Sequence, residues 1–285
     1  MARRDRLAAL PAHRAAGGGS PLKGPQRLDG AIDSHCHLQH ESFDADRDDV
    51  IARAVDAGIT RILVPGYDAR SSARAIDLAS RHPDLIDAAV GVHPHHAGDA
   101  MAADWDEIDG LAGERGVVAI GEIGLDFHRN LSSAGAQRDG LARQLALAAA
   151  RGLPVVVHDR DAHTEVTAAL LGWGGRRDAT ARGVLHCFSG DRAMAKTLTA
   201  GGFLVSFALP VTFSSGREQL HAAADAPGGA YLTETDAPWL GPGSDRRNEP
   251  TTVVRVAAAL ARARGTTTDA IARDVALAYA ALVSR

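Results

Sequence analysis

Residues 153–158, Leu153-Pro154-Val155-Val156-Val157-His158, follow an alanine-rich stretch over 135–151 in which Gly140 is the one internal glycine. Alanine, leucine, glutamine and arginine favour helix, so 135–151 is expected to be one. Three adjacent valines without polar alternation are the pattern of a strand covered on both faces. A histidine closes the run. A helix, then a buried strand, then a ligand-type residue at the strand's C-terminal end is the unit that the chain repeats.

Upstream lie the apolar runs 31–32, which leads into Asp33-Ser34-His35-Cys36-His37, then 59–65, 85–92, ending at His93, and 117–122, ending at Glu122. Downstream lie 183–186, ending at His186, then 203–207, and 231–236, ending at Asp236. Periodicity and end signals predict helices between them at 42–58, 71–81, 104–115, 161–171, 193–200 and 218–224, with two more at 250–264 and 268–283. Short strands separated by helices imply parallel pairing through right-handed crossovers. The expected fold is therefore α/β, a single-domain (β/α)8 TIM barrel over 31–285. A doubly wound open sheet uses the same alternation, but no Gly-x-Gly-x-x-Gly follows the first strand to hold a dinucleotide. Residues 1–30, rich in Ala, Gly, Pro and Arg and without hydrophobic period, are expected to form a disordered tail.

The chain has 285 residues, 45% of them apolar, and a formal charge of -4. That is enough for a sizeable core and leaves no basic field for wrapping duplex nucleic acid. It does not exclude a nucleic acid gripped locally by metal ions and a few arginines. An aromatic share of 4% argues against a stacking platform for long single strands. No run of about 18 apolar residues occurs, so no membrane span is expected. Arg3-Arg4 lacks a following apolar segment because Pro11, His13 and Arg14 interrupt it. Cys36 and Cys187 read as free thiols in a reducing compartment, which points to the cytoplasm.

In a barrel the C-terminal strand ends converge on one face, where barrel enzymes work. His35, His37, His93, Glu122, His158, His186 and Asp236 all fall at such ends. A single histidine is more often structural than a ligand, but the set at strand ends reads as a metal site. Glu122, central in strand order, is expected to bridge two divalent ions, one held by His35, His37 and Asp236, the other by His158 and His186. Zinc, manganese, iron and magnesium all remain open. Alternation along the first strand puts Asp33 on the side of His35 and His37, so Asp33 is expected behind these ligands, and Glu234 behind Asp236. His93 stays open between a loop histidine and a substrate contact. Arg160, two residues past His158, and Arg246-Arg247-Asn248 are candidate phosphate contacts.

Together with 153–158, the stretches Asp33-Ser34-His35-Cys36-His37-Leu38, Gly91-Val92-His93-Pro94-His95, Ala119-Ile120-Gly121-Glu122-Ile123-Gly124-Leu125-Asp126, His186-Cys187-Phe188-Ser189-Gly190, Glu234-Thr235-Asp236-Ala237-Pro238 and Arg247-Asn248-Glu249-Pro250 resemble the TatD family of metal-dependent deoxyribonucleases, within the amidohydrolase-like barrels. The resemblance implies a TIM barrel, divalent ions on the residues above, phosphodiester hydrolysis, often from the 3′ end of DNA, and a substrate role for His93. Three departures stand out. Asp159-Arg160 replaces the usual Ser-Arg and is expected to put a negative charge near the rim. Phe207-Ala208-Leu209-Pro210 replaces a glycine-rich segment, and Ala278 and Val283 stand where Asn and Phe are usual.

The function expected is hydrolysis of nucleic-acid phosphodiesters by a metal-activated water, with Glu122, Asp236 and His93 as catalytic groups and Asp236 orienting or deprotonating the water. The expected substrate is the 3′ end of single-stranded DNA. The alternative keeps the ions and cleaves an ester or amide, such as a lactone, a cyclic amide or an aminoacyl-tRNA ester. Related barrels that open cyclic amides often bridge with a carbamylated lysine from the fourth strand, where this chain has Glu122. A non-enzymatic metal-binding scaffold is the third reading. Oligomeric state is not legible.

Overall fold

The computed structural model describes residues 27–177, 179–243 and 247–284; most of the expected tail, 1–26, and Arg246 lie outside the described residues. Leu28 is already buried and its N–H donates to Ala57 O at 2.9 Å, so the fold begins slightly ahead of the expected boundary.

Strands and helices alternate as β1 (Ala31–Asp33), α1 (Arg47–Asp56), β2 (Ile59–Pro65), α2 (Ala69–Arg81), β3 (Ile86–Val90), α3 (Ala102–Leu111), β4 (Val117–Asp126), α4 (Ala134–Arg151), β5 (Val155–Arg160), α5 (His163–Gly172), β6 (Gly183–Leu185), α6 (Arg192–Ala200), β7 (Phe203–Phe207), α7 (Arg217–Asp225), β8 (Tyr231–Thr233), α8 (Val253–Arg264) and α9 (Thr268–Val283). Neighbouring strands pair in chain order and in parallel. The two ends of the sheet meet. Ser34 N–H donates to Thr233 O at 2.9 Å, Asp236 N–H to His35 O at 2.9 Å, and His37 N–H to Ala237 O at 2.7 Å. The expected (β/α)8 barrel is the fold.

Local chemistry explains the elements. Val155, Val156 and Val157 are wholly buried, one face toward the barrel interior and one toward the helices. Each such side chain stabilises the fold by roughly 1.5–3 kcal/mol. Helix α4 starts where the Ser133 side chain accepts the Ala136 N–H, and stops at Gly152, whose left-handed φ of 65° suits a residue without Cβ.

Four expected boundaries are corrected. A single helix over 42–58 is replaced by a 3-10 turn at Glu41–Phe43 followed by α1, because the Arg47 side chain donates to Leu38 O and His40 O and ties the chain down before the helix can start. Strand β4 does not end at Glu122 but runs on to Asp126. Ile120 pairs with Val155 and Ile123 with Val157, so β4 carries one extra residue. This bulge turns Glu122 into the barrel mouth, its N–H donating to Gly66 O at 2.7 Å. A Cβ on Gly121 would lie 2.5 Å from Val156 Cβ, so only glycine lets β4 and β5 approach this closely. Strands β1 and β8 end early, at Asp33 and Thr233, and the ligand-type residues follow them on extended segments.

Candidate metal centre

Glu122 stands at the middle of the mouth, 3% exposed. Its two oxygens face different groups. Oε2 lies 3.5 Å from His35 Nε2 and 3.4 Å from His37 Nε2. Oε1 lies 3.2 Å from His93 Nε2, 3.1 Å from His158 Nδ1 and 2.9 Å from His186 Nε2. Asp236 Oδ1 closes the first group, 3.8 Å from His35 Nε2 and 3.7 Å from His37 Nε2. Asp236 reaches inward because its left-handed φ of 53° turns the chain at the end of β8.

The hydrogen bonds behind the rings assign a role to several of them. A neutral imidazole carries one N–H and one lone pair, so a partner at one nitrogen fixes the other. His37 Nδ1–H donates to Pro65 O at 3.1 Å, which leaves the Nε2 lone pair facing Glu122. His158 Nε2–H donates to Asp126 Oδ2 at 3.2 Å and leaves its lone pair on Nδ1. His186 Nδ1 faces Glu234 Oε1 at 3.4 Å, out of line for a full hydrogen bond but close enough to favour the proton there. His93 is the reverse case. Its Nδ1 accepts the His95 N–H at 3.1 Å, so the neutral ring carries its proton on Nε2 and points a donor, not a lone pair, at Glu122.

In the neutral rings that a cation requires, the lone pairs of His37, His158 and His186 converge on Glu122, and His35, whose Nδ1 has no partner among the described residues, brings Nε2 to the same place. His35 Nε2 and His37 Nε2 are 3.0 Å apart, and His158 Nδ1 and His186 Nε2 3.3 Å apart. Nitrogens this close repel unless a proton or a cation joins them. Imidazole nitrogens and carboxylate oxygens in this arrangement fit a divalent cation. Burial holds His35 down to about 4, with His186 stacked on it at 3.7 Å adding to the effect. Burial also works against charge on Glu122, but the surrounding His93, His186 and His35 hold that carboxyl well below the usual range. On Asp236 burial prevails and pushes the carboxyl up to about 7.

A sequence profile described as TatD related DNase matches residues 32–283. The chain belongs to the TatD family. Its TatD relatives include the "Uncharacterized metal-dependent hydrolase YabD" of Bacillus subtilis, 36% identical over 85% of this chain and 94% of that one. The "3'-5' ssDNA/RNA exonuclease TatD" of Pectobacterium carotovorum is 37% identical over 82% of this chain and 92% of its own length. Among solved structures, the TatD homolog YJJV of Escherichia coli superposes with a TM-score of 0.83 at 30% identity, covering 89% of this chain and 98% of that one. The chain is accordingly a metal-dependent hydrolase of the TatD family, acting on phosphodiester bonds.

Around this TatD site the remaining candidates separate. Glu234, expected behind Asp236, lies instead behind His186 and accepts the Cys187 N–H at 2.8 Å and the Ser206 hydroxyl. Asp33 does not back the histidine rings. Its carboxylate instead accepts the Thr235 N–H at 2.9 Å and the Thr235 hydroxyl at 2.6 Å, joining the ends of β1 and β8. Burial raises the Asp33 carboxyl well above its ordinary value. Asp33→Ala is therefore expected to cost about 2–3 kcal/mol in urea unfolding, while Asp33→Asn, which keeps an acceptor without the charge, stays within about 1 kcal/mol. Equal costs for the two would contradict this role.

Arg160 is half-buried on the rim and forms no side-chain hydrogen bond or ion pair among the described residues. Arg247 and Asn248, expected as phosphate contacts, are committed elsewhere. Arg247 grips Asp46 through both nitrogens, at 2.8 and 2.6 Å, and lies 4.4 Å over the Phe43 ring. Asn248 is fully buried and donates to Thr235 O at 2.9 Å, so it braces the loop that carries Asp236. Asp159 does not charge the rim. It points outward, accepts the Ala162 N–H and pairs with His163 Nδ1 at 2.8 Å. Two residues at the mouth carry no role in the sequence reading. Asp126 escapes it because the bulge makes β4 look finished at Glu122. Trp239 stands edge-on to His37, centroids 4.7 Å apart, and only its place after Ala237-Pro238 signals it.

Proposed function

We propose that this TatD-family hydrolase binds two divalent cations and removes nucleotides from the 3′ end of single-stranded nucleic acid. The observation that carries the reading is the division of Glu122, one oxygen toward His35, His37 and Asp236 and the other toward His158 and His186. The exonuclease activity named for the Pectobacterium relative supports the substrate class. When bound, the cations acidify water and neutralise charge on the phosphoryl group.

The chain's own groups do the rest. Asp236, whose Oδ1 closes the first group beside His35 and His37, is placed to orient the attacking water and to take its proton. His93 is held neutral by burial and presents Nε2–H to a phosphoryl oxygen or to the departing 3′ oxygen. Arg160 offers its uncommitted forked donors to a flanking phosphate. Trp239, half-buried at the mouth, offers a ring to the terminal base. No helix among the described residues is long and apolar enough to cross a membrane. The unpaired Cys36 and Cys187 suit a reducing, cytoplasmic setting.

The test is stepwise shortening of a 5′-labelled single strand by metal-stripped protein resupplied with magnesium, manganese or zinc. Metal-dependent ladders running from the 3′ end support the reading. Bound ions without any shortening would move the substrate to an ester or amide. His93→Ala is expected to lower kcat by about 10²–10³ while the number of bound ions stays the same. Loss of an ion in that variant would make His93 a ligand instead of a donor.

A further inference from the structure

We propose that Asp126 is a positioning residue for one half of the metal centre: by accepting the Nε2–H of His158 it places that ring's lone pair on Nδ1, the atom that faces Glu122. The inference rests on the two-cation reading above and adds to it a residue that touches neither Glu122 nor the converging lone pairs.

The surroundings of Asp126 leave its carboxylate no freedom. The residue is 2% exposed. Oδ1 accepts the His128 N–H at 3.1 Å and the Arg129 N–H at 2.7 Å. Oδ2 accepts from His95 Nε2 at 2.7 Å and from His158 Nε2 at 3.2 Å. Its own N–H donates to Gln137 Oε1 at 2.7 Å, and its carbonyl accepts from Gln137 Nε2 at 3.1 Å. A carboxylate pinned at both oxygens and by its backbone is a fixed acceptor. His158 can meet it only as a donor, and a neutral ring that donates through Nε2 keeps its lone pair on Nδ1. That lone pair lies 3.1 Å from Glu122 Oε1 and 3.3 Å from His186 Nε2, where a cation would sit between them. The carboxylate also makes the opposite nitrogen more basic, and hence a stronger ligand.

Asp126→Asn tests this with almost no change of shape. The two backbone N–H groups of His128 and Arg129 require an acceptor, so the amide oxygen takes the place of Oδ1. The NH2 group then takes the place of Oδ2 and donates to His95 and His158. His158 must accept at Nε2, and its proton moves to Nδ1, the atom that would have to hold the cation. A merely structural role for Asp126 would lower stability without moving that proton.

Two measurements read the outcome. Metal-free wild type and variant are titrated with manganese by calorimetry, and long-range ¹H–¹⁵N spectra of the metal-free proteins are recorded at a pH where the imidazoles are neutral. Wild type is expected to take two ions and to show His158 protonated on Nε2. Asp126→Asn is expected to keep one ion at wild-type affinity, to bind the second about 10- to 100-fold more weakly, and to show His158 protonated on Nδ1. Unchanged affinity for both ions in the variant overturns the proposal, as does a wild-type His158 protonated on Nδ1. A wild type that takes a single ion strikes at the two-cation reading instead, and the spectra still decide whether Asp126 sets the His158 tautomer. Should the variant fail to fold, the wild-type spectrum alone decides: a proton on Nε2 upholds the proposal and one on Nδ1 overturns it.

Discussion

Glu122→Gln lowers the rate of single-strand shortening by at least about a thousandfold, on the order of 4 kcal/mol of transition-state stabilisation. The substitution keeps volume and planarity. What it removes is one of two acceptor oxygens, each of which faces its own group of ligands. Whichever way the amide turns, its NH2 points at the ring nitrogens of His35 and His37 or of His158 and His186. It can neither ligate there nor supply the negative charge that the buried imidazoles surround. Wild-type and variant rates are compared at saturating manganese, with ion stoichiometry measured alongside. A variant within tenfold of wild type would show that Glu122 does not link the two halves of the site.

Gly124→Ala comes next, with an expected loss of about 4 kcal/mol or more in urea unfolding. Gly124 has a φ of 143°, and an added Cβ would sit 2.0 Å from His158 O. The obstacle is backbone, so no rotamer change relieves it. The two residues pair directly in the sheet, and the clash can only be relieved by driving β4 and β5 apart. That movement also carries His158 away from Glu122, so cation binding falls with stability. Gly110→Ala in α3 is the control. Nothing lies within 4 Å of its added Cβ, and alanine there is expected to add roughly 0.5–1 kcal/mol. A Gly124→Ala protein as stable as wild type would mean that the close β4–β5 approach is not required.

The alternation of strands and helices was legible because parallel strands covered on both faces, such as Val155-Val156-Val157, announce themselves as unbroken apolar runs. The gathering of the candidate ligands was legible because barrel topology sends every strand end to one face. What failed was anything depending on a partner distant in the chain. Arg247 looks like a free cation until Asp46 is placed beside it, and Asn248 looks like a rim residue until Thr235 O takes its amide. Asp126 was hidden by the bulge, since Gly121 and Gly124 read locally as the end of a strand and not as the means by which it continues. Asp159 is the exception. Its partner His163 is only four residues on, so the spacing at the start of α5 already carried the pair.

The way the barrel closes has a consequence for the making of the protein. His35 and His37 leave the ribosome early, whereas Asp236 and the β8 strand that meets β1 leave it late. Until then the nascent chain has Asp33 without Thr235 to hold, and half of the first ligand group without Asp236. A hydrolase assembled in this order cannot complete its candidate site until translation has passed β8.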